Sequence, residues 1–249
     1  MIDMNIPEQL RIKSKILSIN PEKWWGNDFD VRFYLISKLQ NIENKNVLDI
    51  GGGIGIVSSE IPKNNFRVNL DLDFKDLETC VKVTGPDVGS ICSSMTDMPF
   101  LDNSFDVVIS SSVLQYAKLE DMKSKRMTSI SGTQTYPTVE KCLKEIFRIL
   151  RPKGHLFLVT QNNSYYNSYM LDYNELQYAI RMYFTDTKIT FYNTYPRISR
   201  NRKFNMTNVI PKILGRLIGP DNVVKKLSRD KSVRNYSLSF FVEATKQEK

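Results

Sequence analysis

Val47-Leu48-Asp49-Ile50-Gly51-Gly52-Gly53-Ile54-Gly55 is the stretch on which the reading of this 249-residue chain turns. An apolar run of strand character, Asn46 to Ile50, meets a glycine cluster at once, and a helix-like stretch follows from about Ile54 to Ile61. Four of the eleven glycines fall within five positions, at 51, 52, 53 and 55. At a strand-to-helix junction such crowding marks backbone packed where a side chain would collide with a ligand or a neighbouring segment. A second apolar run, Arg67 to Asp71, ends in a carboxylate twenty residues after Gly51. In an open α/β sheet ligands bind beyond the carboxyl ends of the strands, and an acid placed there accepts both hydroxyl protons of a ribose. The glycines narrow the ligand further. A dinucleotide loop needs a small residue where Ile56 stands, and a phosphate loop needs a Gly-Lys-Ser/Thr ending that the chain lacks. What remains is G-x-G-x-G, preceded by Asp49 inside the strand.

Working outward, residues 8–19 and 28–41 show helical apolar spacing, with Asn27 or Asp28 able to cap the second. Further strands are predicted at 89–92, 105–109 and 155–159, with an amphipathic helix from Thr138 to Leu150 stopped by Pro152 and Gly154. Residues 172–184 read as a helix, and 188–192 and 237–244 as the closing strands. Apolar strands alternating with helices predict an α/β fold, a parallel sheet with helices on both faces. The chain reads as one domain, 1–249: N-terminal helices or a lid over 1–44, a ligand-binding core over 45–162, and a decorated C-terminal part over 163–249. A composition of 41% hydrophobic and 25% charged residues is globular, and no run approaches the ~20 apolar residues of a membrane span. The N-terminus lacks the apolar block of a secretion signal. Cys80, Cys92 and Cys142 stand far apart, which excludes a disulfide framework and a zinc signature and predicts a cytoplasmic protein.

Here the chain resembles the class I S-adenosylmethionine (SAM)-dependent methyltransferases. Residues 47–55 look like their first motif, and Asp71 falls where their ribose-binding acid sits. Met98-Pro99-Phe100-Leu101-Asp102-Asn103-Ser104-Phe105-Asp106 is similar to their "LPF-x-D-x-SFD" run. Glu145-Ile146-Phe147-Arg148-Ile149-Leu150-Arg151-Pro152-Lys153-Gly154 is similar to their "E-I-x-R-V-L-K-P-G-G" turn. Lys23-Trp24-Trp25, followed by Arg32, resembles the ubiquinone-type O-methyltransferases within that family. The resemblance implies a Rossmann-like, seven-stranded, mostly parallel sheet with an antiparallel last strand. It implies SAM as cofactor, with Gly51, Gly52, Gly53 and Gly55 against its methionine and ribose portions. Asp49 would organise that loop or approach the amino group, Asp71 would hold the ribose, and Leu72 would lie against the adenine. Ser94 stands where the family has an acid for the adenine amine, beside Met95. Arg32 would meet the carboxylate, as paired guanidinium donors suit two oxygens. Ser111, in Ser110-Ser111-Ser112, would flank the methionine part.

Methyl transfer from a sulfonium requires two aligned reactants and a base only if the nucleophile arrives protonated. His155 is the only histidine and opens a strand far from the expected centre, so it reads as structural. Tyr116, Asp28, Asp30 and Glu175 are the candidate bases, with Tyr116 preferred; no paired aspartates suggest a metal. Trp24, Gln115, Tyr165 and Tyr166 are candidate acceptor contacts, and Ser129 to Thr133 reads as a mobile loop or lid. The predicted acceptor is a small molecule, with an oxygen of a quinone-like, lipid-linked or sugar substrate taking the methyl.

The net charge of +8 is not spread evenly. Residues 196–234 hold eleven basic side chains against two acids, so this segment alone exceeds the whole. It reads as a helical insertion before the last strand and a peripheral contact for anionic membrane at the inner surface, or as a cap over the core. A non-catalytic protein of the same fold that binds through this insertion is the alternative from another class. RNA methylation is a third, but Ser110-Ser111-Ser112-Val113 stands where amino-directed nucleic-acid enzymes carry N/D-P-P-Y, so no nucleic-acid partner is expected.

Overall fold

The structure is a computed structural model that describes residues 6–19, 29–162, 169–194 and 237–248. The chain begins with two helices, α1 (Ile6–Ile19) and α2 (Phe29–Leu39). β1 (Asn46–Ile50), α3 (Ile56–Glu60), β2 (Phe66–Asp71), α4 (Phe74–Thr84) and β3 (Val88–Cys92) follow, then β4 (Phe105–Ser111) and α5 (Leu114–Lys123). A hairpin, β5 (Thr128–Ile130) and β6 (Thr133–Thr135), leads into α6 (Pro137–Ile149), β7 (Leu150–Gln161), α7 (Tyr173–Arg181), β8 (Asp186–Thr194) and β9 (Ser237–Thr245).

Seven strands form one sheet in the order β3-β2-β1-β4-β7-β9-β8. The first five are mutually parallel, and β9 runs antiparallel to both β7 and β8. This is the Rossmann-like sheet with an antiparallel last strand that the family resemblance implies. Both faces are covered, which is why the strands are apolar without alternation. On one face Leu48, Val108, Leu156 and Leu158 pack with α5, α6 and α7 residues such as Leu114, Leu143 and Leu176. On the other, Val47, Val107, Ile109 and Val159 meet Val31, Leu35 and Leu39 of α2 and Val57 and Ile61 of α3. A third cluster joins Ile12 and Ile16 of α1 to Phe33, Ile36 and Ile56, so α1 lies over α2 and the start of α3. The order reverses on either side of β1, which places the crevice beyond the carboxyl ends of β1, β2 and β4.

Several elements differ from the sequence reading. α3 starts at Ile56 rather than Ile54 because Gly55, at φ 79°, holds a left-handed conformation. α4 was not anticipated, although Asp73 caps it by accepting the N–H groups of Lys75 and Asp76. The Ser129–Thr133 loop is a two-stranded hairpin, turned at Ser131 and Gly132, both with positive φ as its tight turn requires. Cys92 is exposed at the end of β3, whereas Cys80 and Cys142 are buried. The basic stretch 196–234 lies outside the described residues.

Two of the motif-like stretches turn out to grip each other. Arg148 donates to the carbonyls of Phe100 (2.7 Å) and Met98 (3.0 Å), and Glu145 accepts from the Met98 N–H (3.0 Å). The carboxylate and guanidinium also pair directly (2.8 Å). The acceptor-side helices are tied by a buried cation: Lys118 of α5 donates to Glu175 (2.7 Å) and to the Met170 carbonyl (2.8 Å). Tyr136, at the foot of the hairpin, donates to the other oxygen of Glu175 (2.7 Å).

Candidate active site

β1 and β2 pair with Asp49 opposite Asn69 and Ile50 opposite Leu70. The glycine turn leaves β1 with Gly51 N–H donating to the Leu70 carbonyl (2.6 Å). A Cβ on Gly51 would overlap the methyl groups of Val113. Gly53 adopts φ 52°, which lets its N–H donate to Asp71 Oδ2 (2.8 Å). The Asp73 N–H donates to the other oxygen, Oδ1 (2.9 Å). Each carboxylate oxygen of Asp71 therefore holds one backbone donor and retains a second lone pair for a ligand hydroxyl.

The turn opens on a cavity of about 790 Å³. Its floor is Asp49, Ile50 and Gly51 to Gly53; its sides come from Asp71 to Asp73, Ser93, Met95 and the Ser111–Val113 segment; Ile16, Arg32, Tyr116 and Gln161 also line it. Burial pushes the Asp49 carboxyl up to about 7, with Asp71 adding repulsion, against the opposing Ser58 hydrogen bond and the nearby Arg32 charge. Ser58 donates to Asp49 Oδ2 (2.7 Å), and Oδ1 is a buried oxygen with no hydrogen-bond donor. Arg32 donates to the Ser112 hydroxyl (2.9 Å). Among the described residues, four acidic side chains, of Asp49, Asp71, Asp73 and Asp76, line the cavity against the guanidinium of Arg32. Such a wall favours a ligand carrying net positive charge with one carboxylate.

Of the residues singled out in the sequence, Arg32, Asp49, Gly51, Gly52, Gly53, Asp71, Leu72, Met95, Ser111 and Tyr116 line this one cavity. Three others do not. Gly55 faces α4 instead, where a Cβ would overlap the Cys80 sulfur, so its smallness serves helix packing. Ser94 turns its hydroxyl to Thr96 (2.9 Å), and Ser93 takes the place on the wall. Gln115 is buried and donates to the Ser112 carbonyl (2.7 Å), fixing the turn after β4 rather than facing an acceptor. Trp24, Tyr165 and Tyr166 lie outside the described residues, as does Asp28. Glu175 is locked by Lys118 and Tyr136 away from the cavity, and His155 bonds to Thr245 on the sheet (3.3 Å). Sequence reasoning missed Ile16, Asp73, Asp76, Ser93, Val113 and Gln161 on the wall. Only the position of Gln161, at the carboxyl end of a strand, carried a signal.

The donor set fits SAM. Asp71 offers paired acceptors for a ribose diol, and the bare Gly51–Gly53 backbone leaves room for the nucleoside. The orphaned Asp49 oxygen suits an ammonium, and Arg32 a carboxylate. A methyltransferase-domain family model matches residues 48–158, the β1–β7 stretch that supplies this cavity's described lining apart from Ile16, Arg32 and Gln161. Residues 48–158 thus match a methyltransferase domain, similar to those of the class I SAM-dependent enzymes.

Relatives of this methyltransferase domain agree in kind. The ubiquinone/menaquinone biosynthesis C-methyltransferase UbiE of Rickettsia typhi is 24% identical over 161 residues, 60% of this chain and 54% of that protein. Phosphoethanolamine N-methyltransferase 1 of Triticum aestivum is 28% identical over 138 residues, 53% of this chain and 24% of that one. The chain thus spans about half the length of the UbiE relatives it matches. Among solved structures, the N-methyltransferase NodS of Bradyrhizobium japonicum in complex with S-adenosyl-L-homocysteine (SAH) has a TM-score of 0.57 at 12% identity, covering 95% of this chain and 98% of that one. The [4+2]-cyclase SpnF has a TM-score of 0.55 at 14% identity, covering 96% and 93%. At those identities the likeness is one of fold.

Proposed function

We propose that the methyltransferase domain binds SAM in the β1–β2–β4 cavity and transfers its methyl group to a small hydroxylated acceptor, quinone-like or lipid-linked. The observation that carries this reading is Asp71, whose two oxygens are each oriented by a backbone N–H beside a side-chain-free turn. Bound SAM supplies a methyl group activated on a sulfonium, open to in-line displacement. The chain's own residues supply placement, and alignment of this kind is worth roughly 7–11 kcal/mol. Asp71 holds the ribose, Arg32 the carboxylate, and Ser111 and Ser112 close the methionine side. Tyr116 stands at the exposed side of the cavity, where its hydroxyl meets an incoming acceptor. An oxygen nucleophile is the first candidate. The names of the rickettsial relatives favour carbon, which in a hydroxylated ring would be the atom beside the acceptor's hydroxyl, activated once that hydroxyl gives up its proton. The basic 196–234 stretch supports peripheral contact with anionic lipid, where a lipid-linked acceptor resides.

Calorimetry with SAM and SAH tests the site. Asp71→Ala weakens both roughly 100-fold, because two charge-assisted hydrogen bonds go, while the thermal midpoint stays close to wild type. Unchanged affinity refutes the ribose assignment. Because the same fold occurs in a cyclase, binding alone does not establish transfer. Incubation with methyl-labelled SAM and extracted quinol lipids reads that directly, and the position of label separates oxygen from carbon.

A further inference from the structure

Asn69 is fully buried on β2, two residues before Asp71, and is not on the cavity wall. The β1–β2 register sets it opposite Asp49, so both side chains leave the sheet on one face, beneath the glycine turn. Gly52 rests on the pair. A Cβ there would overlap Asn69 Oδ1 and lie 2.7 Å from Asp49 Oδ2. The Asn69 amide Nδ2 donates to the Gly53 carbonyl (2.9 Å) and reaches the Cys80 sulfur (3.0 Å). Gly53 is therefore held at both ends by β2: its carbonyl by Asn69 and its N–H by Asp71 (2.8 Å).

We propose that Asn69 is a positioning residue for the SAM site, an inference that rests on the donor-binding reading above: by clamping the Gly53 carbonyl it holds the Gly53 N–H on Asp71 and so sets the carboxylate that receives the ribose. Gly53 has no side chain and sits at positive φ, so it has more conformational freedom than any other residue type would have there. The Asn69 amide removes that freedom. A carbonyl without this donor would let the peptide turn, take its N–H off Asp71, and free one carboxylate oxygen to rotate away from the diol. The neighbouring Cys80 contact fixes the amide itself, because Nδ2 also donates to that sulfur (3.0 Å).

A double-mutant cycle read by SAH affinity tests the clamp. Asn69→Leu keeps the volume and loses the donor, and is expected to weaken SAH roughly tenfold, the loss of one buried hydrogen bond expressed through Asp71. In an Asp71→Ala background the same change is expected to cost nothing further, because there is no carboxylate left to set. Wild-type affinity in Asn69→Leu overturns the proposal. So does a full multiplicative loss in the double variant, which is what general destabilisation would produce. If Asn69→Leu does not fold, Asn69→Ser, whose hydroxyl is too short to reach the carbonyl, runs the same cycle. Exchange of the Gly53 amide in ligand-free protein provides the independent arm. It is expected to speed up at least tenfold in either variant, and unchanged exchange overturns the clamp. Should wild-type protein bind neither SAM nor SAH, the donor reading falls by itself, and Gly53 exchange still decides whether Asn69 holds the turn.

Discussion

Asp49 carries a carboxyl with no solvent exposure on the strand that feeds the glycine turn, and one of its oxygens has no donor. Its pKa rises from 3.8 to about 7. For an acid whose native value lies above its unfolded one, the contribution to stability is complete below 3.8 and is lost as pH rises towards 7. A ligand bringing an ammonium and a sulfonium reverses this, since it favours the ionised form. SAM binding at about pH 6 is therefore expected to release protons. Calorimetry in buffers of different ionisation heat measures this, and Asp49→Asn should abolish it. Asp71 and the first three glycines were legible in the sequence because spacing alone places them at the end of a strand. Ser94 and Gln115 were not, since one local hydrogen bond, to Thr96 or to the Ser112 carbonyl, decides where each side chain faces. Asn69 needed the strand register as well, because its partner Gly53 belongs to the turn after a different strand.

At the scale of elements, the stretches that resemble family motifs after β3 prove to be a clamp. Met98 to Asp102 has little regular structure of its own, and Arg148 of α6 holds its carbonyls while Glu145 holds an N–H. The sequence resemblance thus records a packing contact between a loop and a helix 50 residues apart, as the Arg148–Met98 bond shows. Arg148→Ala leaves two carbonyls and the Glu145 carboxylate without their cation, and is expected to lower stability by roughly 2–4 kcal/mol in urea unfolding. Arg148→Lys should recover only part, because a point charge replaces the forked donors. The sheet was readable from its apolar runs, and so was α6 from its stripe of Val139, Cys142, Leu143 and Ile146. The hairpin was not. Thr128 to Thr135 alternates polar residues without an apolar face, and only the Ser131-Gly132 turn and the pairing itself define it. α4 was likewise overlooked, its buried face amounting to Leu77 and Cys80.

Across the whole molecule charge is segregated. In the sequence the segregation lies in the basic residues, eleven of the 35 falling within 196–234, while four of the 27 acids line the cavity. Among the described residues no helix is long and apolar enough to cross a membrane. The proposed lipid contact rests on the 196–234 cations. Replacing Lys212, Arg216, Lys225 and Lys226 with Gln is expected to abolish flotation with vesicles containing anionic lipid, at roughly 1 kcal/mol per charge, while SAH affinity is retained. Equal flotation of variant and wild type rejects the contact.

The helix at the front of the chain has a practical corollary. Ile16 of α1 forms part of the cavity's wall, and α1 is tied down by Arg11 and Lys15, which both grip the buried Glu60 at the end of α3. α1 is thereby built into the enclosure of the cavity. Replacing both Arg11 and Lys15 with Ala, which cuts this double tether, is expected to speed the release of bound SAH in stopped-flow measurements, even with every other cavity residue intact.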